Sequence, residues 1–115
     1  MKTKKDFLNN YSNNPELAKL ALKAGGVDWA DLEQYPNDYC YASNGSVNGM
    51  IYYEDTVKFA KKNHLLILQS LDEYEDECGK ITNKPKATDE TQYFNWLAWF
   101  AWENTIVDVI NYLED

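Results

Sequence analysis

The sequence predicts an all-α domain: a small bundle of four to five helices with a long antiparallel helical hairpin at its C-terminal end. Three observations carry this. Two long segments, from about residue 54 to 78 and from about 89 to 113, place apolar residues at three- and four-residue steps, the period of a helix. Helix start and stop signals punctuate the chain. No stretch alternates apolar and polar residues for long enough to suggest a sheet. With 115 residues, 44% hydrophobic and 15% aromatic, the chain suits one domain over residues 1–115 whose large rings supply much of the core.

Residues 2 to 12 can form a short first helix with Phe7, Leu8 and Tyr11 on one side. Asn14-Pro15-Glu16 is a start signal, with Asn as cap, Pro in the first turn and an acid beside it. Leu17, Leu20, Ala21 and Ala24 then keep helical spacing until Gly25-Gly26 closes the helix. Asp28 can cap a short helix from Trp29 that stops near Pro36. Residues 37–50 hold the turn dipeptides Asn44-Gly45 and Asn48-Gly49 and read as a loop; a small hairpin of Tyr39-Cys40-Tyr41 with Met50-Ile51-Tyr52 is the alternative. Val57, Ala60, His64, Ile67, Leu71, Tyr74 and Cys78 make one long helical stripe ended by Gly79. A polar connection follows. Asp89 with Gln92 resembles a capping box for the last helix.

That last helix carries Trp96, Trp99 and Trp102 on one stripe, continued by Ile106, Val109, Ile110 and Leu113. Tyr93, Phe94, Leu97 and Phe100 make the other side apolar as well. A surface helix shows one apolar face, so the first half of this helix is either sandwiched in the core or also covers a partner.

The formal net charge is −8, and all 11 basic side chains are lysines. A field of this sign repels nucleic acid and anionic lipid, and the chain lacks the arginine fork that grips phosphate. The expectation is therefore no direct nucleic-acid binding and no membrane binding, and a protein partner with a basic surface. Asp72, Glu73, Asp76 and Glu77, in an acidic run on a helix, are the candidate charged contacts; Tyr93, Phe94, Leu97 and Phe100 are the candidate apolar ones. A homodimer built through the aromatic helix is the alternative. Lys2, Lys4 and Lys5 are followed by Asp6-Phe7-Leu8-Asn9-Asn10, which lacks the apolar core of a secretion signal, and two cysteines make no disulfide framework. A cytoplasmic location is expected.

No catalytic site is expected. His64, the single histidine, could pair with Glu103 as an acid–base couple, but a structural pair that fixes helix register explains the same residues. Cys40 with His64 lacks any signature of a nucleophile and its base. One His and two distant Cys give no metal spacing, and the run from Asp72 to Glu77 lacks the alternation and central Gly of a calcium loop, so no metal or cofactor is expected.

Gly25-Gly26-Val27-Asp28-Trp29, the segment from Ile51 to Asn63, and Asn95-Trp96-Leu97-Ala98-Trp99-Phe100-Ala101-Trp102-Glu103 resemble small uncharacterised proteins from phages and mobile elements of gut bacteria. The resemblance covers most of the chain and is most specific in its final segment. It transfers no activity or site residue. It implies a small cytoplasmic protein in a bacterial host. With the acidic charge it leads to a non-catalytic binding protein, such as an inhibitor of a host nucleic-acid enzyme or defence system in the manner of an anti-CRISPR.

Overall fold

Both long segments with a helical period fold as helix, the first with a break at Asn63. The computed structural model describes residues 2–36 and 53–115, and these are all-α. Helix α1 (Lys4–Asp6) continues into a π-helical turn over Phe7–Tyr11. Then come α2 (Pro15–Ala24), α3 (Trp29–Gln34), α4 (Tyr53–Lys62), α5 (His64–Cys78) and α6 (Glu90–Glu114). Residues 37–52, with Cys40 and the expected loop or hairpin, lie outside the described residues.

The local signals act as read, with one exception. The Asn14 side chain accepts from the Leu17 backbone N–H at 3.2 Å, and Asp28 does the same for Ala30. Gly26, at φ +62°, ends α2 with paired backbone bonds from Gly26 to Lys23 and from Val27 to Leu22, the closure that favours glycine. Gly79, at φ +91°, follows α5. The exception is Asp89. Its carbonyl accepts from Tyr93, but its side chain makes no capping bond, so the expected capping box does not form.

The single helix expected from 54 to 78 is two. Asn63 leaves helical geometry at φ −111° and ψ 25°. Its side-chain amide and its backbone N–H both donate to the Phe59 carbonyl, while its own carbonyl accepts from Ile67. An asparagine that bonds the local backbone in this way both ends α4 and opens α5. The break also changes direction. Lys61 meets Glu90 and Thr56 meets Asn95, so α4 runs antiparallel to α6. His64 meets Tyr93 and Phe94 while Tyr74 meets Phe100, so α5 runs in the same sense as α6. The antiparallel partner of the last helix is thus α4, and the connection after Gly79 travels back to the start of α6.

Helix α6 is the axis. Its buried residues are Leu97, Ala98, Ala101, Trp102, Thr105, Ile106, Val109 and Tyr112, one stripe at helical spacing. Ala98 and Ala101, with Ala60 of α4 and Ala18 and Ala21 of α2, are buried small residues that let helix backbones approach. Trp102 is fully buried over the end of α2, where a Cβ on Gly25 would lie 2.2 Å from its ring. Trp96 and Trp99 are only partly buried, so the core stripe follows Leu97 and Trp102 rather than the three tryptophans. In the first half of α6 Leu97 and Ala98 are buried, while Tyr93, Phe94, Trp96, Trp99 and Phe100 are partly buried.

The chain ends close together. Phe7, Tyr11, Trp29 and Tyr112 form one ring cluster with centroids 5.2–6.4 Å apart. The Tyr112 hydroxyl donates to Asp6, the Tyr11 hydroxyl donates to Asp115, and the Lys2 ammonium donates to the Tyr112 carbonyl. Among the described residues no helix is long and apolar enough to cross a membrane.

Candidate functional site

Helix α5 buries Ile67, Ser70 and Leu71 against the body of the protein. The opposite side therefore faces solvent. On a helical wheel Leu65, Gln69, Asp72 and Asp76 fall within about 60°, and Glu73 and Glu77 flank them. All six are exposed, with Leu65 82% exposed. Asp72, Glu73, Asp76 and Glu77 thus form a continuous acidic ridge along the second half of α5. None of the four forms an ion pair or hydrogen bond with a described residue.

This ridge sits at the wrong end of its helix for stability. A helix C-terminus carries partial negative charge and favours cations, yet the last turn of α5 has no basic residue. Asp72 and Asp76, and Glu73 and Glu77, are like-charged at the four-residue step, which also costs helix stability. Glu75, in the middle of the run, behaves differently. Its carboxylate accepts from the Ile81 backbone N–H at 2.8 Å and from Lys84 Nζ at 2.9–3.0 Å. The Lys84 ammonium first, and the Ile81 N–H second, hold its carboxyl below the ordinary glutamate range. Glu75 pins the connection after Gly79; its four neighbours bond no described residue.

The apolar candidates divide. Leu97 is fully buried between α6 and its neighbours and leaves the contact set: a partner could reach it only by opening the core. Tyr93, Phe94 and Phe100 are half-buried along the seam between α4, α5 and α6. Tyr93 Oη lies 2.9 Å from His64 Nε2, Phe94 packs edge-on to the His64 ring at 5.0 Å, and Lys61 Nζ lies 5.6 Å from the centre of the Phe94 ring. Phe100 stacks on Trp96 and meets the edge of Tyr74. Tyr93 and Phe94 thus lie at the start of α5, and Tyr74 adds exposed ring area that the sequence reading had placed in the core.

The acid–base couple does not assemble. His64 sits at the break between α4 and α5, half-buried, and its ring nitrogen meets Tyr93 rather than Glu103. Glu103 lies ten residues further along α6, about 15 Å by helical rise. It lines a cleft of about 190 Å³ with Tyr74, Ile81, Phe100, Asn104 and Val107. The pairing followed from treating 54–78 as one helix; the break at Asn63 carries His64 to the other end of α6. Cys40 lies outside the described residues, so its pairing with His64 has no geometry to set beside it. Among the described residues no group of three or more His, Cys, Asp or Glu is placed to hold a metal ion.

The structure also brings together residues that no spacing had linked. Lys23 of α2 and Lys58 and Lys62 of α4 rim a cleft of about 290 Å³ floored by Leu20, Ala24 and Phe59. The four-residue steps Lys19–Lys23 and Lys58–Lys62 were visible in the sequence, but the approach of α2 to α4 is tertiary.

Residues 5–115 match a family described as a domain of unknown function, DUF7222, and the chain belongs to that family. No curated protein and no solved structure matches it.

Proposed function

We propose that this DUF7222 member is a non-catalytic protein-binding protein, and that the acidic ridge of α5 meets a basic surface on its partner. The observation that carries this reading is the contrast within one acidic run: Glu75 is bound internally, while Asp72, Glu73, Asp76 and Glu77 crowd unpaired at a helix end that favours cations. Such an arrangement weakens the helix, and a cationic partner reverses that cost. Leu65, 82% exposed, supplies apolar surface on the same side of α5. Carboxylates spaced along a ridge can occupy a surface that otherwise holds phosphates, so the finer reading is an inhibitor of a host nucleic-acid enzyme or defence system, encoded by a phage or mobile element and acting in the bacterial cytoplasm. The net charge of −8 supports steering toward such a target.

The test is capture by the tagged protein from nuclease-treated bacterial lysate, at low and high salt, beside a variant with Asp72, Glu73, Asp76 and Glu77 all changed to lysine. Proteins whose recovery falls at high salt and vanishes with the variant are the expected result. A recovered set that is the same for both proteins contradicts the ridge as the contact surface.

A further inference from the structure

The lysine cleft between α2 and α4 is a second charged surface of opposite sign. Lys19, Lys23, Lys58 and Lys62 are exposed, and no described carboxylate pairs with them; the neighbouring Lys61 is the one held by Glu90, at 2.8 Å. Lys19 and Lys23 are one turn apart on α2, and Lys58 and Lys62 one turn apart on α4. Both are like-charged pairs at the four-residue step, which repel, while the last-turn positions of Lys23 and Lys62 favour cations. The ridge repeats the same geometry: Asp72 to Asp76 and Glu73 to Glu77 are two acid pairs, each one turn long, on a single helix. Lys23, Lys58 and Lys62 rim the cleft itself, with Lys19 one turn further back on α2, so an acidic helix laid over it would meet ammonium groups that no described carboxylate holds.

We propose that the cleft between α2 and α4 is a docking surface for the acidic ridge of α5 from a second copy of this chain. The inference rests on the reading of α5 as a docking ridge and names one partner for it. An acidic helix fits the cleft better than nucleic acid does, because the cleft floor is apolar, its cations are all lysine, and the whole chain is strongly acidic. At physiological ionic strength charges further apart than about 8 Å are screened, so the general repulsion between two acidic molecules fades while close pairs persist.

The experiment measures mass in solution by light scattering, at low and high salt, for three proteins. They are the native chain, a lysine-neutral variant (Lys19→Gln, Lys23→Gln, Lys58→Gln, Lys62→Gln) and a ridge-neutral variant (Asp72→Asn, Glu73→Gln, Asp76→Asn, Glu77→Gln). All substitutions are on exposed side chains, and circular dichroism verifies that helix content is kept. At low salt the native chain has at least twice the mass of one chain and falls to one chain at high salt. Each variant alone has the mass of one chain. Mixing the two restores a two-chain species, because one contributes the ridge and the other the cleft. A native chain that stays at the mass of one chain at low salt overturns self-docking. So does a lysine-neutral variant that assembles like the native chain, or an oligonucleotide bound by the native chain and lost in that variant. If self-docking fails but the ridge-neutral variant still loses salt-sensitive partners in lysate capture, the proposed function stands alone. If ridge neutralisation changes neither assay, both fall.

Discussion

The end of the molecule where the chain termini meet and the acidic end of α5 use their charges in opposite ways. At the termini Asp6 accepts from Tyr112 and Asn10, Asp115 accepts from Tyr11, and Lys2 reaches the Tyr112 carbonyl. The charged groups there close the fold on a ring cluster. On α5, Asp72, Glu73, Asp76 and Glu77 bond no described residue, whereas Glu75 between them does. Two regions of one small acidic protein thus separate charge that holds the structure from charge turned outward. Composition alone shows the total and not this division.

The comparison breaks first if the body that carries both regions is not held by packing. Trp102→Ala removes a fully buried ring from the contact between α2 and α6 and should cost about 3–5 kcal/mol, read by urea denaturation. Gly25→Ala drives a methyl group into the same ring and should cost about 1–3 kcal/mol. Loss of less than about half a kcal/mol in both would show that the ring is not held there.

Tyr112→Phe sharpens the comparison. The bond to Asp6 raises the Tyr112 phenol above the ordinary tyrosine value, and the Tyr112 hydroxyl, then Asn10, lowers the Asp6 carboxyl. Stability from the raised phenol is fully present below pH about 10 and lost as pH rises through its folded value. Stability from the lowered carboxyl is present above pH about 4 and lost as pH falls through its folded value. The variant should therefore melt lower at neutral pH and show a flatter loss of stability at both extremes. An unchanged alkaline limb would remove Tyr112 from this role.

Glu75→Gln is a smaller change. It weakens the hold on Ile81 and Lys84, and the expected readout is faster amide exchange at Ile81, whose N–H donates to this carboxylate. Because the Glu75 carboxyl is lowered, the native protection at Ile81 should persist above the ordinary glutamate value and fade as pH falls through the folded one, once intrinsic exchange is corrected for pH. Protection equal in both proteins would place the hold on the connection elsewhere.

Local signals made much of the fold legible. Asn14, Asp28, Gly26 and Gly79 act at the positions where they stand, because a cap needs only its own few neighbours. Asn63 was opaque because the apolar period runs through it unbroken, and asparagine costs a helix little until its side chain finds the Phe59 carbonyl. The buried side of α6 was legible only beyond Phe100. Before that the helix is apolar all round, so the period has no direction, and Leu97 rather than Trp96 enters the core. The acidic ridge was readable because α5 supplies all of it. The lysine cleft was not, since two helices far apart in sequence build it.

The most direct test of this division is the thermal midpoint of the ridge-neutral variant at low salt. With outward charge crowding a helix C-terminus, neutralising Asp72, Glu73, Asp76 and Glu77 should leave the midpoint unchanged or raise it by about 2–4 °C. A midpoint several degrees lower would mean that these carboxylates hold the fold together, and would contradict their assignment to a contact surface.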